Sequence, residues 1–199
     1  EISACLVGSE MCIRDRLDIV SGFHTDPVGL LLSHRADWAI VSEVEENDDI
    51  LFKPLFSYEM VGICAKDHPL ANKDVWQAED FAEETWVTYP VPDDMLDLYR
   101  QVLKPKDINP PRRTTELTIA LIQLVASRRG IATVPYWAAL PYLEKGYVVA
   151  RKITEEGLYS NLYAAIRKED ANLAYSEDFH QTVKAQSFST LPGLSVLEL

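Results

Sequence analysis

Polar residues gather where short apolar runs end, and their types suit a small ligand that carries both charges. Ser21-Gly22-Phe23-His24, Ser42-Glu43, Tyr89-Pro90, Thr114-Thr115-Glu116 and Val134-Pro135 are the five places. Hydroxyls and the free N–H groups of a helix start hold a carboxylate, because that end concentrates unpaired donors and partial positive charge. Glu43, Asp26 or Glu116 would hold an ammonium through charge-assisted hydrogen bonds. An amino acid is the simplest ligand with both needs. Taken singly, each residue is also an ordinary cap or turn residue. Their shared placement beyond strand ends is what marks them, since open parallel sheets bind ligands there.

The signatures of catalysis are missing. The sequence has no Gly-rich phosphate loop, no G-x-S-x-G elbow, no H-E-x-x-H and no C-x-x-C. His24, His34, His68 and His180 are scattered, and none pairs with another at metal-ligand spacing. His68 before Pro69 reads as a turn residue, and Cys64, inside an apolar run, as a small buried hydrophobe. No cofactor, no metal and no enzymatic reaction are expected.

Composition narrows the class. The 199 residues include 31 acidic and 19 basic side chains, a net charge of −12, with 47% hydrophobic residues. That is ordinary for a globular protein and too apolar for disorder. Without a basic run, this chain is not expected to touch nucleic acid itself, because phosphate contacts need clustered Lys and Arg. The apolar stretches fall far short of the roughly 20 residues of a membrane helix, so no membrane is expected. Three cysteines, Cys5, Cys12 and Cys64, make no disulfide framework and fit a reducing cytoplasm.

Residues 1–16 stand apart. EISACLVGSEMCIRDR has no clean period, begins acidic and ends in Arg14-Asp15-Arg16, the reverse of a signal peptide. CLVGSEMCIRDR looks like translated sequencing adapter, so these residues are expected to be a non-native leader, and nothing functional is assigned to Cys5 or Cys12.

The remainder alternates strand and helix. A strand over 17–20 and another over 38–41 flank a helix that Asp26 caps and Pro27 opens, ending near Arg35. This βαβ unit is expected to have parallel strands buried on both faces. One or two strands fall in 52–65, a short helix in 77–83, a strand in 85–89, a helix in 95–103 and an extended segment in 112–116. Residues 118–129 give the clearest helix, with Leu121, Leu124 and Val125 on one face and Gly130 at its end. A strand over 131–134 stops at Pro135. A helix over 137–145, strands over 147–153 and 162–167, and a last helix over 176–187 complete the chain. The fold is α/β in two lobes: 17–84 with 169–190 as the first, 85–168 as the second, and 191–199 as a tail.

From residue 17 to about 187 the chain resembles the effector-binding domain of LysR-type transcriptional regulators. The resemblance is carried by Leu30-Leu-Leu-Ser-His-Arg-Ala-Asp-Trp-Ala-Ile-Val41, Lys66-Asp-His-Pro-Leu-Ala71, Leu124-Val-Ala-Ser-Arg-Arg-Gly-Ile-Ala132 through Pro135, and Leu162-Tyr-Ala-Ala-Ile-Arg-Lys168. Ser21-Gly22 with Asp26-Pro27, Phe56-Ser-Tyr-Glu59, Tyr89-Pro90-Val91, Leu121-Ile122-Gln123 and Gly157-Leu158 through Tyr163-Ala-Ala165 are similar to the branch that controls methionine biosynthesis. The resemblance implies a fold like that of type II periplasmic binding proteins, truncated at its N-terminus, where the first strand and helix of the lobe should precede Leu17. It implies a cleft effector, homocysteine or another amino acid, and a homodimer or tetramer. DNA would be reached only through an N-terminal helix-turn-helix absent from this chain. In that frame Thr114, Thr115 and Thr118 take the carboxylate, Glu43 or Asp26 the ammonium, and Phe23, Tyr89 and Val134 line the thiol side. A free-standing solute-binding protein on the same fold is the alternative; it would need a signal peptide upstream.

Overall fold

The computed structural model describes Ile19 and residues 26–197. Its longest element is one strand, β2 (Ile50–Cys64), where the sequence leaves one or two open. Pro54 does not end it. The register against β8 (Leu158–Arg167) shifts between Pro54 and Phe56, a bulge at which a residue without an N–H is tolerated. β2 and β8 run antiparallel from Ile50↔Arg167 to Met60↔Leu158 and form the spine that both lobes share.

The first lobe is built on one end of that spine. β1 (Ala39–Val41) pairs antiparallel with β8, and α1 (Pro27–Leu32) packs over them. Asp26 caps α1 as expected, its carboxylate accepting from the Gly29 N–H at 2.6 Å. The helix stops short of Arg35: Ser33 Oγ donates back to the Gly29 carbonyl at 2.7 Å, and His34 takes a left-handed φ of 54°. Val28, Leu31, Ile50 and Ala165 form this lobe's core. The nearly buried Arg167 guanidinium fastens it by donating to the carbonyls of Leu31 and Ala36 and to Asp37 and Asp170. Helix α4 (Ala174–Thr190) lies against β2. The expectation of a strand buried on both faces at 38–41 is corrected: Ile40 is half exposed, and the strand's described partner is antiparallel. Of residues 17–20 only Ile19 is described, and it is exposed and outside any strand.

The second lobe carries the parallel part of the sheet. β6 (Ile131–Pro135) pairs antiparallel with β2, and β4 (Trp86–Thr88) is parallel to both β6 and β5 (Arg112–Thr114). β7 (Val149–Ile153) continues along the end of β2 and pairs in parallel with β3 (Val75–Trp76). Helices α2 (Thr118–Ala126) and α3 (Tyr136–Glu144) are associated with one face, over Ile63, Val87, Leu121, Val125, Ala132 and Val134. The other face buries Cys64, Trp76, Phe81, Trp86, Leu103 and Ile131. That second cluster cuts across the expected lobe division at 84/85. Trp76 and Phe81 share a core with Trp86, so residues 66–84 pack with the second lobe, and the chain changes lobes within β2.

Two expected helices are shorter and tighter than their periodicity suggests. Residues 77–83 make one 3₁₀ turn, Ala78–Phe81, closed by Asp80 accepting from the Gln77 N–H. In place of a helix over 95–103 there is a 3₁₀ turn, Asp93–Met95, followed by a π-helical turn, Tyr99–Leu103. The tail is not structureless: β9 (Leu194–Ser195) adds to β2 at Ser57 and Tyr58.

Candidate functional site

Parallel pairing fixes which strand ends meet. Trp86↔Arg112, Thr88↔Thr114 and Val87↔Ala132 are in register, so β4, β5 and β6 point their carboxyl ends the same way. Tyr89, Thr115 and Pro135 therefore emerge at one end of the lobe. The Thr115 N–H donates to the Thr88 carbonyl at 3.0 Å. The Tyr89 hydroxyl lies 2.7 Å from Thr118 Oγ1, joining the end of β4 to the first residue of α2. Among the described residues no side chain caps α2. Met60↔Pro135 sets this end beside the stretch of β2 and β8 that leads into the first lobe.

The first lobe approaches from the opposite side. Val41 pairs with Tyr163, so Ser42 and Glu43 continue β1 toward the junction. Glu43 accepts from Arg100 Nη1, on the π-helical turn of the second lobe. Arg100 Nη2 donates to Asp97 at 2.6 Å; Gln101 Nε2 donates to Asp97 at 3.1 Å and to the Tyr159 carbonyl of β8 at 3.2 Å. Asp97, Arg100 and Gln101 thus form one polar bridge between the lobes and their spine.

Buried hydroxyls lie between these two sides. Tyr58 and Ser160 are a cross-strand pair, both nearly inaccessible. Burial pushes the Tyr58 phenol above its ordinary pKa, an effect that Ser160's hydrogen bond opposes and the nearby Asp97 and Tyr89 reinforce. Burial raises Tyr89 as well, with the Thr118 hydrogen bond working against it. Beneath them, Trp86 Nε1 donates to Thr133 Oγ1 at 3.1 Å, and Arg112 stacks within 5.2 Å of Trp86 and 5.0 Å of Tyr99.

Most sequence-predicted residues fall at this junction, but not all. Tyr89, Pro90, Thr114, Thr115, Glu116, Thr118 and Pro135 lie at the strand ends, and Ser42 and Glu43 follow β1 on the first lobe, where Glu43 meets Arg100 of the second. Val134 is fully buried among Ile63, Leu121 and Ala132, so it supports the strand end from within the core. Asp26 is occupied as the cap of α1. Ser21, Phe23 and His24 lie outside the described residues. Tyr58, Asp97, Arg100, Gln101 and Ser160 went unpredicted. The β2–β8 register pairs Tyr58 with Ser160, while Asp97, Arg100 and Gln101 come from the turns that follow β4 and reach the spine through Gln101. Among the described residues no cluster of His, Cys, Asp or Glu could hold a metal ion. His68 acts as the expected turn residue, its Nδ1 accepting from the Leu70 N–H, while Cys64 is buried and its thiol is pushed up to about 11. No helix among the described residues is long and apolar enough to cross a membrane.

Comparison with known proteins agrees with this architecture. Residues 16–187 match the family model described as LysR substrate binding domain. The chain is 85% identical over 183 residues to the HTH-type transcriptional regulator MetR of Haemophilus influenzae, covering 92% of this chain and 59% of that protein. It is 35% identical over 176 residues to MetR of Salmonella typhimurium, covering 88% of this chain and 55% of that one. The chain therefore spans little more than half the length of these relatives. Among solved structures, the regulatory domain of MetR, a LysR family regulator from N. meningitidis, superposes with a TM-score of 0.87 at 63% identity, covering 98% of this chain and 91% of that one. The effector-binding domain of QuiR in complex with shikimate shares the fold, with a TM-score of 0.71 at 22% identity over 93% of this chain and 88% of that one. The chain belongs to the LysR family of transcriptional regulators, as a substrate-binding domain of the MetR type.

Proposed function

We propose that this domain senses homocysteine for a regulator of methionine-biosynthesis genes. The observation that carries the reading is the convergence of Tyr89, Thr115 and Thr118 at the start of α2, with an acidic first-lobe group, Glu43, held across the junction by Arg100. Such a site matches an amino acid's carboxylate on one side and its ammonium on the other. The Tyr89 ring offers an apolar wall for a short thiol side chain. Strong likeness to MetR proteins over most of the chain supports the same ligand class.

The mechanism is allosteric. An effector that touches both lobes stabilises one relative arrangement of them, and coupling of about 1–3 kcal/mol is enough to bias a bound oligomer. In the intact regulator, a dimer or tetramer in the cytoplasm, DNA would be held by a helix-turn-helix outside this chain. Calorimetric titration with L-homocysteine tests the reading. Saturable binding that weakens about tenfold or more in Thr115→Ala and in Glu43→Ala is expected. Binding unchanged by both substitutions would refute the site.

A further inference from the structure

We infer that Arg100 is a latch between the lobes, acting through Glu43, and that its closure sets how tightly the effector is held. The inference rests on the effector-sensing reading and deepens it. Arg100 stands on the second lobe, fifty-seven residues from Glu43 in sequence, and its guanidinium divides its donors between the two sides of the cleft. One nitrogen engages Glu43, just beyond the end of β1. The other engages Asp97, whose side chain is only 10% exposed and therefore fixed. Gln101 anchors the same turn to the Tyr159 carbonyl on the spine. The guanidinium is thus aimed from a rigid base at Glu43, the group it meets on the first lobe among the described residues.

The turn that carries it supports a positioning role. Tyr99–Leu103 is π-helical, a form that is uncommon and recurs at functional sites, and here it sets Arg100 and Gln101 toward the junction together. Arg100 and Glu43 are each about two-fifths exposed, at 41% and 43%. Solvent reaches the pair, so it opens and closes readily and salt screens it. An exposed ion pair shifts an equilibrium by about two- to fivefold. That is too weak to hold the fold and sufficient to tilt two lobe arrangements whose difference an effector exploits. Arg100 acts through Glu43 and is a positioning residue.

The test is a double-mutant cycle with Glu43→Gln and Arg100→Gln, read two ways. For effector affinity, homocysteine is titrated at low and at high salt. For lobe separation, spin labels are placed at the exposed positions Glu144→Cys on α3 and Thr182→Cys on α4, with Cys5 and Cys12 replaced by Ser and the buried Cys64 left in place. The latch predicts that Arg100→Gln weakens binding about two- to fivefold in the native background and not at all where Glu43 is replaced by Gln, that it reduces the salt dependence of binding, and that it broadens the label distance. If Arg100→Gln costs as much in the Glu43→Gln background as in the native one, the two residues act independently and the latch is refuted. An unchanged label distance refutes it as well. Should the unsubstituted chain bind no homocysteine, the effector assignment fails, while the label distances still decide the latch.

Discussion

The Tyr89 hydroxyl and Thr118 Oγ1, 2.7 Å apart, tie the end of one parallel strand to the first residue of the helix that follows the next. This bond orients the two hydroxyls most directly placed for a carboxylate at the start of α2. A hydrogen bond of this kind contributes about 1 kcal/mol, or roughly fivefold in an equilibrium constant. Tyr89→Phe and Thr118→Val should each weaken effector binding by about that factor while leaving the thermal unfolding midpoint within a few degrees. Calorimetry beside a melting curve separates the two effects.

Arg167 fastens the first lobe through four hydrogen bonds at once. Its side chain, 8% exposed, serves two carbonyls of the α1 region and the carboxylates of Asp37 and Asp170. Arg167→Ala removes these donors at once, leaving the Leu31 carbonyl with only the His34 N–H and Asp170 without its guanidinium partner. Because the carboxylates left behind reach water, a loss of about 2–3 kcal/mol is expected from the missing charge-assisted hydrogen bonds, and urea unfolding measures it.

Trp86 makes a comparable case in the second lobe. Its indole N–H has Thr133 Oγ1 as a partner in a site almost closed to water. Thr133→Val keeps the shape and strands the donor, for a loss of about 1–3 kcal/mol. Thr133→Ser, which retains the hydroxyl, should recover most of it.

Acid weakens the packing of α4 in two separate windows. Burial depresses the His180 pKa, and the ring hydrogen-bonds the Pro54 carbonyl at the β2 bulge. Because the folded value lies below the ordinary one near 6.5, the unfolded chain binds the proton first; this contribution is full above that value and lost as pH falls through it. Glu177, held by Lys53 and Gln181, is lowered from 4.5 to about 2, so its contribution is present above 4.5 and lost as pH falls toward 2. Denaturation midpoints followed from pH 8 to pH 3 should decline in both windows, and Glu177→Gln should flatten only the lower one.

Local chemistry made some of this legible in the sequence. Asp26-Pro27 announces α1 with a cap and a fixed φ, Gly130 stops α2's neighbourhood, and Pro135 closes β6. Gly130 has φ of +145°, and a Cβ there would sit 2.1 Å from the Thr85 carbonyl oxygen, so glycine is required on both counts. Long-range pairing was not legible. Pro54 argues locally for two strands, yet the partner strand β8 absorbs it in a bulge and keeps β2 whole. For the same reason Trp76 and Phe81 join Trp86 across the expected lobe division, through packing that composition does not reveal. The strand-end hydroxyls lie together because sheet topology places them so, whereas Tyr58 meets Ser160 through the β2–β8 register and Asp97 and Arg100 arrive on the turns after β4.

The most direct test of an effector site at this junction is an amide NMR titration of the isotopically labelled chain with L-homocysteine. Saturable shifts concentrated at Thr88–Tyr89, Thr114–Thr118 and Ser42–Glu43 are the expected result. Shifts that fail to saturate, or that cluster away from the junction, would contradict it.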